Sequence, residues 1–340
     1  MSTLTRHSRL PAHVPFTALA ACRRAPDAAT PPGEWNQVLG AAPWGERDAS
    51  TAASFDGQLW VLGGWNLSAD KVAGAHLDAW SSTDGSTRKI HAKPGWSCET
   101  SPLAAAFQDR LWVIGGLRRS RMPDETLSNE VWASPDGEQW SQVLAHAPWE
   151  ARIGAALLVH RGSLWLLGGK VGRTGDNRLL RNDVWKSDDG GSWTRMRASA
   201  PWSARSFRCA VSFQDRIWLL GGGDWGSRNA DNEGWRCADG ISWPQHPTPP
   251  WSGRIWHSCW VRGSKLWLMG GRRRWPLKRT VGGVWTTPAG QTWWKQLFAS
   301  GPGARHAAYV TMYGAAQWFM GGSSDGQLHA DVWKDTEPSL

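Results

Sequence analysis

The chain has 340 residues, a formal net charge of +9, 41% hydrophobic residues, 28 tryptophans and 39 glycines. No apolar run reaches the roughly eighteen residues of a membrane-spanning helix. The five cysteines, Cys22, Cys98, Cys209, Cys237 and Cys259, form no CxxC or other metal-ligand spacing, so neither a metal nor another cofactor is expected.

Residues 1–33, rich in Ala, Pro and Arg, read either as a disordered basic tail or as an export signal. Leu19-Ala20-Ala21-Cys22 has the form of a lipoprotein cleavage box, with Arg6 and Arg9 as its positive region, although Pro11, His13 and Pro15 interrupt the apolar stretch before it. Localisation is thus open between the cytoplasm and export with anchoring through Cys22. From Glu34 onward one motif recurs, an apolar run closing on a glycine pair. It first appears as Leu59-Trp60-Val61-Leu62-Gly63-Gly64, then as pairs ending at Gly116, Gly169, Gly222, Gly271 and Gly322. The ends lie roughly fifty residues apart, which makes six copies of one supersecondary unit.

The third copy shows the unit most clearly. Arg152 to Val159 is short, apolar and rich in small residues, as a doubly buried strand is. The turn Arg161-Gly162-Ser163 leads into Leu164-Trp165-Leu166-Leu167, giving a hairpin. After Gly168-Gly169, a polar stretch precedes a third strand at Asp183-Val184-Trp185-Lys186. The turn Asp188-Asp189-Gly190-Gly191 then leads to a fourth at Trp193-Thr194-Arg195-Met196. Four antiparallel strands per repeat describe a propeller blade.

This pattern of diglycine, third-strand Trp, Asp-Gly turn and Arg before the next first strand resembles the kelch repeat. The resemblance covers nearly the whole chain and implies an all-β, six-bladed propeller over residues 34–335. The last repeat lacks a fourth strand, whereas Trp35-Asn36-Gln37-Val38-Leu39 up to Pro43-Trp44 matches Trp140-Ser141-Gln142-Val143-Leu144 up to Pro148-Trp149. The N-terminal segment is therefore expected to complete the last blade and remove its open edge.

Most tryptophans fall on repeated strand or turn positions and read as packing residues. Trp65, Trp225, Trp256, Trp260, Trp275 and Trp294 do not. Trp65, Trp225 and Trp275 follow a glycine pair closely, in loops between second and third strands, where an aromatic either staples the loop or meets a ligand. Cys98, Cys209, Cys237 and Cys259 read as unpaired core fillers.

By loop order, most of the positive charge falls on the face holding the second-to-third loops and the blade-entry loops. It is concentrated in Arg118-Arg119-Ser120-Arg121 and in Arg272-Arg273-Arg274-Trp275-Pro276-Leu277-Lys278-Arg279. A one-sided, arginine-rich excess favours an anion. The entry arginines Arg47, Arg152, Arg205, Arg254 and Arg305 recur in five blades, and the kelch resemblance implies that they point into the channel mouth. The alternative is that each bonds loop carbonyls of its neighbour. Blade two has Glu99 instead, a carboxylate expected to stay ionised among arginines or to serve as acid or base. His257 and His306 also begin inner strands, as wall residues or ligand contacts.

Two functions follow. The first is a binding module presenting a basic, Trp-bearing face to an anionic small molecule such as an acidic sugar, or to an acidic protein segment. The second, implied by resemblance to bacterial kelch sialate mutarotases, is an isomerase acting on an anionic sugar, with Glu99 as its candidate catalytic group. A copper radical oxidase of galactose is set aside, because Tyr309 and Tyr313 are the chain's only tyrosines. Nucleic-acid binding has a basic rim in its favour but no recognised reader of bases. A monomer is expected.

Overall fold

The computed structural model describes residues 34–67, 73–91, 94–118, 126–172, 177–224, 230–273, 279–298 and 300–336. Cys22, Trp225, Arg274 and Trp275 lie outside the described residues. Six four-stranded antiparallel sheets form the blades of a β-propeller. Blade three comprises Ala156–His160, Ser163–Lys170, Leu180–Ser187 and Thr194–Arg197. Its first strand starts later than the apolar run at Arg152 suggests. Gly154, at φ 65°, turns the chain in the left-handed region before the strand can begin.

Blade six closes as the sequence predicts. Glu34–Leu39 lies antiparallel to Val332–Thr336, with Trp35 opposite Asp335 and Gln37 opposite Trp333. That third strand pairs in turn with Ala316–Met320, which pairs with Tyr309–Tyr313. The ring is thus fastened by the first and last strands of the described chain, and Trp35 is 2% exposed within it.

The hydrophobic core lies between neighbouring blades, and the second-strand tryptophans reach furthest across those interfaces. Trp112 of blade two covers Gly190, the turn glycine of blade three, where an added Cβ would stand 2.1 Å from the indole. Trp60 covers Gly137 in the same way, and Trp318 covers Gly85 across the closure. The turn itself is held by its side chains. Ser187 Oγ accepts from the Gly190 amide at 2.7 Å, while Asp189 Oδ1 accepts from the amides of Gly191 and Ser192 at 2.8 and 2.6 Å. The repeated Asp-Gly turn is therefore both a local Asx-type turn and a seat for the preceding blade's indole.

The four cysteines among the described residues divide into two pairs. Cys98 and Cys237 are free and buried, as expected of fillers, and burial pushes both thiols up to about 11. The expectation fails for Cys209 and Cys259, which form a disulfide with Cα atoms 5.9 Å apart. They sit one repeat apart on the first strands of blades four and five, Cys209–Phe213 and Ser258–Arg262. First strands converge on the channel, so equivalent positions of adjacent blades come within disulfide reach.

Candidate functional site

The entry arginines are buried, between 1 and 6% exposed, and bond the blade rather than presenting themselves at the surface. Arg152 Nη1 donates to the Gly168 carbonyl at 2.9 Å and to Asp183 Oδ1 at 2.7 Å; Nη2 donates to Asp183 Oδ2 at 2.9 Å. Asp183 also accepts from the Trp185 indole at 2.8 Å. Arg47 with Asp78 and Trp80, and Arg305 with Asp331 and Trp333, repeat this fork. Arg205 meets Glu233 at 3.1 Å and Asp231 at 3.3 Å. The forks of Arg47, Arg152 and Arg305 tie the entry loop to a diglycine carbonyl and to the third-strand carboxylate, the bidentate geometry at which Arg is strongest. In these four blades a carboxylate, Asp78, Asp183, Glu233 or Asp331, stands two residues before the third-strand Trp, a spacing legible in the sequence.

Blade two shows why Glu99 can replace an arginine. Its third-strand acid, Glu130, takes a guanidinium from Arg118 instead, with Ser97 Oγ donating at 2.8 Å and Trp132 Nε1 at 3.1 Å. Glu99 is half-buried; its amide donates to the Leu117 carbonyl at 3.1 Å and its own carbonyl accepts from Gly64 at 2.7 Å. The expected positive excess is reduced on this face, because Asp78, Glu130, Asp183, Glu233 and Asp331 fall just beyond the loop segments and pair with its arginines.

Two residues after each entry position the chain adopts a left-handed turn. Ala49, Ser101, Gly154, Phe207, Trp256 and Ala307 have φ between 52° and 65°. Their backbones link blade to blade around the channel. Ser101 N donates to Ala49 O at 2.8 Å, Phe207 N to Gly154 O at 2.8 Å, Trp256 N to Phe207 O at 3.1 Å, and Ala307 N to Trp256 O at 2.9 Å. Phe207 and Trp256, with ring centroids 5.0 Å apart, stand together on this belt of turns. A cavity of about 630 Å³ lies at the loop face and one of about 240 Å³ toward the first strands; both touch Ala49, Ser101, Phe207, Trp256 and Ala307. The six turn positions hold five side-chain types, Ala, Ser, Gly, Phe and Trp, so the repeat pattern leaves no mark of this floor.

The mouth cavity gathers Trp65, Trp256 and Phe207 with the carboxylates of Glu46, Asp48 and Asp325, and with Arg272 and His306. Of the predicted site residues it therefore brings together Trp65, Arg272 and His306. Glu99 and Arg273 are not among its lining residues, although Thr100 and Ser101 are. His257 is a wall residue bonded to the Leu220 carbonyl at 3.1 Å, and burial, with Arg254 beside it, holds its pKa down at about 3.

His306 is more elaborately held. Thr280 Oγ1 donates to Asp325 Oδ1 at 2.9 Å, so it can only accept from His306 Nδ1, 3.1 Å away. Burial first, and then Arg272, lowers the imidazole to about 4. The ring is neutral at pH 7, protonated at Nδ1, with its lone pair at Nε2. Its face lies 5.4 Å from the Trp256 ring.

Fold and cavity together define a six-bladed β-propeller of kelch-like repeats with a ligand-sized cavity at the channel mouth. The solved structure of YjhT superposes with a TM-score of 0.68 at 15% identity, covering 87% of this chain and 96% of that one, a likeness of fold. Among curated proteins, Beta-scruin of Limulus polyphemus is 30% identical over 125 residues, 34% of this chain; the match spans only 12% of that protein's length. No family model matches the chain.

Proposed function

We propose that this protein is a kelch-family binding module that takes an anionic sugar in the mouth cavity. The observation that carries the sugar is the lining of one cavity of about 630 Å³ by aromatic rings and three carboxylates, and the anionic group rests on Arg272 alone. The volume suits a small ligand, within the few hundred to about 1,000 Å³ of ordinary binding pockets. Trp65 and Trp256 offer apolar faces for a sugar ring. Glu46, Asp48 and Asp325 offer acceptors for its hydroxyls, and Arg272 offers a fork for its acidic group. A thermal-shift screen of acidic and neutral sugars tests the reading. Acidic sugars are expected to raise Tm saturably, Arg272→Ser to weaken that effect at least tenfold, and Arg216→Ser, at the exposed start of a strand away from the cavity, to leave it unchanged. Equal responses to neutral and acidic sugars would remove the anionic part of the proposal.

The arrangement of His306 favours a second reading, an isomerase that interconverts the anomers of the bound sugar. A neutral imidazole whose Nδ1–H is fixed by Thr280 presents its Nε2 lone pair as a hydrogen-bond acceptor for an anomeric hydroxyl, though a pKa of about 4 makes it a weak base. Anomer exchange followed by NMR, with His306→Gln as the variant, distinguishes a mutarotase from a module that only binds.

A further inference from the structure

Blade five breaks the pattern of the other blades in a way that leaves a place for a ligand. In blades one, two, three, four and six, an Asp or Glu stands two residues before the third-strand Trp, where it accepts from the indole and from a guanidinium. In blade five that residue is Gly283, two before Trp285. The arginine is nevertheless present and takes the usual pose. Arg254 Nη1 donates to the Gly270 carbonyl at 2.7 Å, sixteen residues on, as Arg152 does to Gly168 at 2.9 Å. Its Nε donates to the Ser252 carbonyl at 3.2 Å, as that of Arg152 does to Glu150 at 3.0 Å.

Among the described residues no carboxylate meets Arg254, and no acceptor meets the Trp285 indole N–H. Arg254 is 3% exposed, so a full positive charge is buried with carbonyl partners alone, an arrangement whose cost an anion would relieve. Burial, and then the nearby charge of Arg273, lowers the guanidinium to about 10. The vacated position is bounded on one side by the Trp285 indole alone. A Cβ built on Gly283 would meet nothing within 4 Å except the Trp285 indole, whose Nε1 would lie 3.1 Å away. Gly282 and Gly283 also line a cavity of about 490 Å³ together with Lys295 and Ser300; Arg254 and Trp285 are not among its lining residues, so Gly283 is the point at which it adjoins them, and it shares no lining residue with the channel mouth.

We propose that blade five carries a carboxylate-binding site in the place of the missing side chain. One carboxylate group there accepts from the Arg254 guanidinium and the Trp285 indole as Asp183 accepts from Arg152 and Trp185. Lys295 at the cavity wall adds a second positive charge to the approach. The recognised chemistry is a single carboxylate, supplied either by a free small acid or by an acidic side chain on a larger molecule.

Thermal unfolding and NMR line broadening with sodium acetate, against sodium chloride at equal ionic strength, test the site directly. Acetate is expected to raise Tm saturably and its methyl signal to broaden in the presence of the protein. A parallel titration with N-acetyl-aspartate amide separates the sources: tighter binding than acetate points to an acidic side chain, weaker or equal binding to a small free acid. Gly283→Asp is expected to raise Tm without acetate, the indole swinging back by a few tenths of an ångström, and to abolish the acetate response. Arg254→Met is expected to abolish it too. The proposal is overturned if acetate and chloride act alike on the native protein, or if Gly283→Asp folds and keeps the full acetate response. Should that variant not fold, line broadening that persists in Arg254→Met overturns it equally. These outcomes are independent of sugar binding at the mouth.

Discussion

Replacing Asp183 with Ala isolates the element that ties each blade together. The carboxylate, itself 7% exposed, accepts from Arg152 at 2.7 and 2.9 Å and from the Trp185 indole at 2.8 Å. Its loss leaves the Arg152 guanidinium, 3% exposed, with only the Gly168 and Glu150 carbonyls at 2.9 and 3.0 Å. Breaking a buried pair from one side costs about 3–5 kcal/mol, because the remaining charge stays desolvated. At about 2 °C per kcal/mol for a protein of this size, Tm falls by about 6–10 °C. Calorimetry on Asp183→Ala, Arg152→Met and the double variant provides the check. If the orphaned charge is the cost, the double variant recovers much of the loss. A double variant that melts as low as Asp183→Ala, or lower, refutes the reasoning and makes the fork's packing, not its charge, the source of stability.

Closure predicts that removing residues 1–30 leaves stability nearly unchanged, whereas removing 1–43 deletes the strand paired with Val332–Thr336. The second truncation also loses the burial of Trp35, about 5 kcal/mol at about 25 cal/mol per Å² over some 200 Å², and equal melting of the two would contradict the closure. Stability should also fall as pH drops from about 6.5 toward 4. His257 and His306 are held at about 3 and 4 when folded, so the unfolded chain takes up their protons first. Each contributes about 1.4 kcal/mol per pH unit within that window, full above it and lost below. Denaturant unfolding between pH 4.5 and 6.5 should show a shallower slope once both are replaced by Gln, and an unchanged slope would contradict the assignment.

The scaffold was legible because it repeats. The diglycines, the third-strand tryptophans and the N-terminal match each occupy one position of a period, and closure by Glu34–Leu39 follows from counting strands. The site was less so, since its parts come from positions where the repeat varies. Trp65, Arg272 and His306 were found as departures from the pattern. Phe207 and Trp256 were not read as a floor, because a left-handed turn that accepts Ala, Ser, Gly, Phe or Trp leaves no compositional mark. The arginines looked like a charged rim only while their carboxylates, thirty or so residues away, went unpaired. The Cys209–Cys259 bond was hidden for a similar reason: a separation of 50 residues reads as remote until one repeat is seen to equal one step around the channel.

Isothermal titration of an acidic sugar selected by the thermal-shift screen, into the native protein and into Trp65→Ala and Arg272→Ser, shows whether the mouth cavity is a ligand site. One site per chain is expected, with binding weakened at least tenfold in each variant. Affinity is expected to decline with salt, since charges near the surface are screened over about 10 Å at 0.1 M. Binding that is unchanged in both variants and indifferent to salt would contradict a site there.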